Sequence, residues 1–370
     1  MRATLGLIGL ISGCGLTACG AARPPPAPAP EGPVPPVLGL GEQMPLDDGG
    51  LALEGDGGPD GAPDASGSAV TILIRNVHAS AAFAVDDTGL YWIDEVAGEV
   101  SRAPKRGGLT MTLYNTGGRA LASGSTLAVQ GGDIYWATDL DMGAFRQSAL
   151  MRLPKNADKP TLLASSSTGR LSGPALDGQS VYWVSGGAIV RAPKAGGPST
   201  QVLAGQAGAD AVAVDDQSVY VSCAGTEGKQ FADGTIVAVA KKGGAPRVLV
   251  AGSAHAANVQ IDDQNAYWQA GADVVSVPKA GGPAKVLATA TGPVDDLALD
   301  DTNVYFASHT SAKDGTIARV PKAGGPVEVL ASASSPATGI AVDATAVYWM
   351  GLGTEANKFA DGTVNKRDKP

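Results

Sequence analysis

From residue 69 onward the chain alternates short apolar runs with polar, glycine-rich breaks. Runs of four to six residues read as strands, because an amphipathic helix needs about ten or more residues on a 3.6 period. One run recurs: Leu90-Tyr91-Trp92, Ile134-Tyr135-Trp136, Val181-Tyr182-Trp183, Val219-Tyr220-Val221, Ala266-Tyr267-Trp268, Val304-Tyr305-Phe306 and Val347-Tyr348-Trp349. It is continuously apolar rather than alternating, so both faces of that strand must be covered. All five Trp and seven of the eight Tyr fall in it. Consecutive Tyr residues are 44, 47, 38, 47, 38 and 43 positions apart. That is the length of a four-stranded propeller blade.

Each unit repeats one order. A short apolar strand ends in Asp, as in Ala211-Val212-Ala213-Val214-Asp215 or Leu297-Ala298-Leu299-Asp300. A tight turn and the Tyr-Trp strand follow. A loop of variable length leads to a third strand, such as Gly315-Thr316-Ile317-Ala318-Arg319-Val320. Then come the turn Pro321-Lys322-Ala323-Gly324-Gly325-Pro326 and a fourth strand, Val327-Glu328-Val329-Leu330-Ala331. The glycine pair suits a hairpin that needs positive φ. The seventh unit stops at Gly362-Thr363-Val364-Asn365-Lys366 without a fourth strand, while Val70 to Arg75 precedes the first unit and has that strand's character. The pattern predicts an all-β, seven-bladed propeller of four-stranded blades over 69–370. The N-terminal strand completes blade 7, which removes an open sheet edge.

The unit, with its Asp and its Tyr-Trp core, resembles the YWTD, NHL and TolB-like propeller repeats and is similar to the arrays found in bacterial lipoproteins. The resemblance covers 69–370. It departs from the YWTD and TolB-like types in blade number, seven against six. The nearest match to the strict motif is Tyr91-Trp92-Ile93-Asp94. The resemblance therefore implies architecture and does not carry a receptor's ligand specificity.

The N-terminus reads as an address. Arg2 opens it, and Ala3 to Ile11 is an apolar run, too short for a bilayer that needs about 20 residues. Leu16-Thr17-Ala18-Cys19-Gly20 resembles the bacterial lipobox. The resemblance implies cleavage before Cys19, lipidation of its sulfur and, with Gly20 rather than Asp following, passage to the outer membrane. Residues 1–18 are thus expected to be a lipoprotein signal peptide. Residues 19–68 are expected to be a disordered tether: positions 20–68 hold 11 Pro, 11 Gly, no aromatic, and eight acidic residues against Arg23 alone. Such a segment cannot bury enough apolar surface to fold. It carries most of the acidity behind the net charge of −9, so 69–370 is close to neutral.

Candidate chemistry is sparse. A negative net charge argues against nucleic acid. Three Cys exclude a disulfide framework, and with three His they leave little for a zinc cluster. The recurrent Asp86, Asp177, Asp215, Asp262, Asp300 and Asp343 could form a carboxylate ring, but their position suits turn caps that accept backbone N–H groups. Lys105, Lys155, Lys194, Lys242, Lys279 and Lys322 recur in the glycine turns of the same rim, so Asp and Lys are expected to neutralise each other as exposed pairs. The opposite rim carries the variable loops. Blades 4 and 7 share one insertion there. The binding candidates are Thr226, Glu227, Lys229, Phe231 and Asp233 in blade 4, and Thr354, Glu355, Lys358, Phe359 and Asp361 in blade 7. Its Asp-Gly pair is read as a hairpin turn. Blade 2 adds a third insertion over 138–148. His78, His255 and His309 map to this rim as well, and Cys223 reads as a small buried hydrophobe.

These features favour a monomeric, lipid-anchored envelope module without a cofactor, meeting a protein, peptide or glycan partner through the loop rim and touching the membrane only through its anchor. One rival is a lyase or hydrolase acting on a carbohydrate or lactone in the channel mouth, and another is a purely structural envelope protein. His and carboxylates clustered over the channel mouth would favour the enzyme.

Overall fold

A computed structural model describes residues 69–78, 82–116, 126–141, 146–167, 170–357 and 359–369. Cys19, the signal segment and the tether lie outside the described residues. Blade 1 is β2 (Phe83–Asp86), β3 (Gly89–Asp94), β4 (Glu99–Ala103) and β5 (Met111–Asn115). Blade 2 is β6 (Thr126–Gln130), β7 (Asp133–Asp141), β8 (Arg146–Leu153) and β9 (Thr161–Ser166). Blade 3 is β10 (Leu171–Leu176), β11 (Ser180–Ser185), β12 (Ala188–Pro193) and β13 (Thr200–Leu203). Blade 4 is β14 (Ala209–Val214), β15 (Ser218–Cys223), β16 (Thr235–Ala240) and β17 (Arg247–Ala251). Blade 5 is β18 (Ala256–Ile261), β19 (Asn265–Ala270), β20 (Asp273–Pro278) and β21 (Lys285–Thr289). Blade 6 is β22 (Val294–Leu299), β23 (Asn303–Ser308), β24 (Gly315–Pro321) and β25 (Glu328–Ala333). Blade 7 is β26 (Ala337–Val342), β27 (Ala346–Gly351), β28 (Gly362–Asp368) and β1 (Thr71–Val77).

Every blade is a four-stranded antiparallel meander, and the last runs in the order β26-β27-β28-β1. The expected closure is present: Thr71 pairs with Lys366 and Ile72 with Asn365. No described helix is long and apolar enough to cross a membrane.

The core is divided into seven clusters, one between each pair of consecutive blades. The second strands explain it, since successive side chains point to opposite faces. Tyr182 faces forward and meets Val219 and Val221 of blade 4. Tyr220 then meets Trp268 of blade 5, and Tyr267 meets Phe306 of blade 6. The ring closes where Tyr348 and Met350 of blade 7 pack on Phe83, Leu90 and Trp92 of blade 1. Trp92, Trp136, Trp183 and Trp268 are all at most 2% exposed. The Gly-Gly turns adopt the left-handed backbone they were expected to need, as at Gly281 (φ 92°) and Gly282 (φ 140°).

The first strands β10, β14, β18, β22 and β26 line the channel, and each carries a register shift near its start. Such bulges turn individual side chains out of the ladder. They set the geometry of the channel mouth.

Candidate functional site

The two rims of the ring differ in kind. On the hairpin rim the recurring Asp is a junction. In blade 4, Asp215 Oδ1 accepts the backbone N–H groups of Gln217 and Ser218 at 2.9 and 2.8 Å. Its Oδ2 accepts the Tyr220 hydroxyl at 3.0 Å and Lys279 Nζ of the next blade at 2.8 Å. Lys279 also lies over the Tyr220 ring, 5.1 Å from its centroid. The same latch joins Asp177 to Lys241, Asp262 to Lys322, Asp300 to Lys369 and Asp343 to Lys105. Burial opposes ionisation of these carboxylates. The Lys, backbone N–H and Tyr donors outweigh it, holding Asp215 and Asp262 at about 2 and Asp177, Asp300 and Asp343 below the usual carboxylate range. Burial, reinforced by Asp215, pushes Tyr220 up to about 12.

Three sequence expectations change here. The pairs link neighbouring blades and are largely buried: the Lys279 side chain is 12% exposed. Blade 4 uses Lys241, because Lys241 rather than Lys242 follows the strand at the same step as Lys194 and Lys279. Lys155 offers its backbone N–H to Asp133 instead, at 2.8 Å. Around blade 2 the latch is altered: Asp86 takes the Gly132 N–H at 2.9 Å, and Lys194 bonds Gln130, which stands where the other blades have Asp.

On the loop rim, the matched insertions are closed on themselves. Asp233 accepts the Thr226 N–H at 2.7 Å and its hydroxyl at 2.9 Å, across a short 3₁₀ turn at Glu227–Lys229. Asp361 does the same to Thr354, both at 2.7 Å, and also accepts Asn357 Nδ2. Asp314 clasps Thr310 in blade 6 in the same manner, at 2.6 Å. The Asp-Gly pair is therefore a clasp and not a hairpin turn. Gly234 has ordinary backbone angles, and a Cβ there would collide with the Ser253 carbonyl of the adjoining blade-to-blade loop. Asn357 and the Thr354 donors hold Asp361 at about 2.

The structure brings Thr226 to Asp233, Lys229 to Asp233 at 3.6 Å, and Thr354 to Asp361. Phe231 stacks against His255, with centroids 4.9 Å apart. Phe359 is 38% exposed. Phe231 and Phe359 both hold left-handed backbone, at φ 58° and 60°. Among the described residues no hydrogen bond, ion pair or ring contact joins one loop to the other. Lys358 lies outside the described residues.

On the same rim a cleft of about 500 Å³ opens at the channel mouth. Its polar lining comes from the bulged inner strands (Ser172, Asp210, Asn258, Asp295 and Asp296), from Thr126 on β6, and from Arg170 and Gln269. They form a belt that crosses blade boundaries. The Gly173 N–H donates to Thr126 Oγ1 at 3.0 Å, and the Asn258 N–H to Asp210 Oδ2 at 3.2 Å. Asp296 accepts Leu297 N–H, Asn258 Nδ2 and, at 2.9 Å, the Ile340 N–H of blade 7. Burial raises Asp296 to about 7 against the pull of those three donors, and the Asp295 charge adds to the rise. Burial also raises Asp295, although His309 Nδ1 sits 2.7 Å from its Oδ2. His78 makes a similar contact with Asp94 at 3.0 Å. Among the described residues no group of three or more His, Cys, Asp or Glu is arranged to hold a metal ion. Cys223 is buried, and burial pushes its thiol up.

Sequence reasoning did not single out this cleft. Its one visible signal was Asp295-Asp296, two carboxylates in a first strand where the other blades carry Ser, Thr, Ala, Gly or a single Asp or Asn.

No protein-family model matches the chain, and no curated protein matches its sequence. Solved structures do. A streptogramin B lyase aligns at 12% identity with TM-score 0.61, covering 81% of this chain and 97% of that one. A chain of a nidogen/laminin complex aligns at 14% identity with TM-score 0.52, covering 67% and 95%. A chain of a mitotic checkpoint complex aligns at 11% identity with TM-score 0.57, covering 90% and 99%. At such identities the likeness establishes the propeller fold. Its neighbours include chains found in protein complexes and a lyase.

Proposed function

We propose that the chain is a lipid-anchored binding module of the cell envelope, exported through residues 1–18, tethered through 19–68 from a lipidated Cys19, and held at the outer membrane. Its propeller presents the loop rim to a protein, peptide or glycan. The observation that carries this reading is the asymmetry of the rims. One is fixed by repeated Asp–Tyr–Lys latches and short glycine turns. The other bears insertions of unequal length, preformed by Thr–Asp clasps, and the polar cleft opens on the same rim. Variable loops on a rigid frame are where binding concentrates. Thr226, Asp233, Thr354 and Asp361 shape the two matched loops, while Glu227, Lys229, Phe231, Glu355, Lys358 and Phe359 supply the contacts.

The test replaces 226–233 and 354–361 with short Gly-Ser turns, singly and together, and compares partners captured from envelope extracts. Capture should fall in each single variant and vanish in the double. A partner profile that survives the double replacement but is abolished by altering the Gly-Gly turns would place binding on the other rim.

One observation favours a second reading. The His309–Asp295 pair borders the channel cleft, as expected of a lyase or hydrolase acting on a carbohydrate or lactone. Turnover lost in His309→Ala, with partner capture intact, would support it.

A further inference from the structure

The turns between third and fourth strands repeat one pattern, and blade 1 departs from it. From the Lys of the turn to the first residue of the fourth strand, blades 1 to 6 align without gaps. In that frame blade 1 has Leu109 where blades 3, 5 and 6 have Pro198, Pro283 and Pro326. It has Met111 where the others have Thr161, Thr200, Arg247, Lys285 and Glu328. It has Arg106 where blades 3, 5 and 6 have Ala195, Ala280 and Ala323. Both apolar side chains face solvent: Leu109 is 92% exposed and Met111 60%. Lys105 is taken by Asp343, and Arg106 beside it is exposed. A single exposed aliphatic is ordinary. Here two stand in one turn with a cation, all three at positions where the repeat is broken.

The turn also lies where the chain enters the ring. β1 begins at Thr71, opposite Lys366, and the same end of blade 7 carries Lys369, which latches Asp300 on the hairpin rim. β1 ends at Val77, opposite Gly362, on the loop rim. Residues before β1 therefore approach from the hairpin rim. The blade 1 turn sits against that strand, since a Cβ on Gly107 would stand 2.9 Å from the Leu73 carbonyl oxygen. Val70, at the entry, is 39% exposed. A Cβ on Gly108 would meet nothing within 4 Å, so the tip projects into open space.

A stable protein partner needs an interface of about 1,000 Å² or more, which one projecting turn does not offer. A bilayer surface asks less. Apolar side chains enter the boundary between headgroups and acyl chains, and an Arg beside them meets anionic headgroups. A lipid anchor on the entering segment makes that contact intramolecular, so a small tip is enough.

We infer that the blade 1 turn is a membrane-contact tip: Leu109 and Met111 enter the headgroup layer of an anionic bilayer, Arg106 meets its phosphates, and the loop rim is thereby turned outward. The inference rests on the reading of Cys19 as a lipidated anchor and adds a second point of membrane contact.

The mature, lipidated chain is reconstituted into vesicles of phosphatidylcholine and phosphatidylglycerol. A fluorophore is placed on Thr110→Cys or, on the loop rim, on Gly228→Cys, and a quencher is carried on the lipid. Cys223 is buried, so labelling is confined to the new thiol. The lipid should quench the label at 110 and leave the label at 228 bright. Leu109→Glu with Met111→Glu should abolish quenching at 110; both side chains are exposed, so the core is untouched. Arg106→Gln should lower the contact equilibrium about fivefold in these vesicles and leave it unchanged in pure phosphatidylcholine. Equal quenching at 110 and 228, or quenching that survives the double substitution, overturns the inference. A label at 110 shielded from an aqueous quencher yet not reached by the lipid quencher would put a second copy or another protein there, and overturns it as well. A chain that fails to float with the vesicles would sink the anchor and this inference together. Flotation without selective quenching would sink the tip and leave the anchor standing.

Discussion

Asp215→Ala tests whether the hairpin rim holds the ring together. The substitution removes four hydrogen bonds at once: two from backbone N–H groups, one from the Tyr220 hydroxyl and one from Lys279 of the next blade. Loss of a carboxylate cap on backbone N–H groups costs about 1 kcal/mol by analogy with helix caps. The larger part comes from Lys279, which is 12% exposed and would keep its charge without a counter-ion. Stranding a largely buried partner costs about 3–5 kcal/mol, whereas an exposed ion pair contributes about 0–1 kcal/mol. We therefore expect about 3–5 kcal/mol for Asp215→Ala. Lys279→Met should cost about 1–2 kcal/mol, because the aliphatic stem still covers the Tyr220 ring and Asp215 retains three donors. The assay is urea denaturation followed by Trp fluorescence. Acid titration adds a signed check. The folded Asp215 is held at about 2, below its ordinary value. Its contribution is therefore complete above about pH 4 and fades as pH falls from about 4 to about 2. The gap between the unaltered chain and Asp215→Ala should narrow over that window. A loss below about 1 kcal/mol at pH 7, or a gap undiminished at pH 2, would refute the latch.

Four further outcomes follow from the same geometry. Deleting residues 20–66 should leave the melting temperature of 69–370 unchanged, while deletion through Arg75 should remove most of β1, open blade 7 and cause aggregation; equal melting of the two contradicts closure. Trp183→Ala should cost about 3–5 kcal/mol in denaturation, since the side chain is 2% exposed between blades 2 and 3. Gly228→Ala should be neutral in thermal melting, whereas Gly234→Ala should destabilise, because the added Cβ meets nothing at the first site and the Ser253 carbonyl at the second. Cys19→Ser should abolish palmitate labelling and move the mature chain to the aqueous side of a detergent phase partition.

The blade count, strand order and ring closure were legible because each rests on local pattern repeated seven times. A continuous Tyr-Trp strand demands cover on both faces, and a fourth strand missing at one end with a spare strand at the other demands closure. The latch was half legible. Asp and Lys recur at fixed steps, so their meeting could be read, but the partner's blade could not, because sequence spacing carries no sign of which neighbour a long Lys reaches. That reach also decides between Lys241 and Lys242: only the residue directly after the strand arrives over Tyr182. The Asp-Gly pairs misled because two causes of a glycine look alike in sequence. In the Gly-Gly turns the cause is positive φ; at Gly234 it is a neighbouring carbonyl, supplied by a loop about twenty residues later.

The channel mouth was illegible for a stronger reason. Asp210, Asn258 and Asp296 follow one another at steps of 48 and 38 residues, and each is a polar break in a mainly apolar first strand. Taken singly, each reads as a defect in the repeat. The bulges supply what the pattern lacks. One register step turns Asp210 out between Ala209 and Ala211, and another turns Asp295 out between Val294 and Asp296. Both then line one cleft. The repeat positions build the scaffold and the departures from repetition build the site, so the cleft sits where four inner strands break register and not at the longest or most distinctive loops.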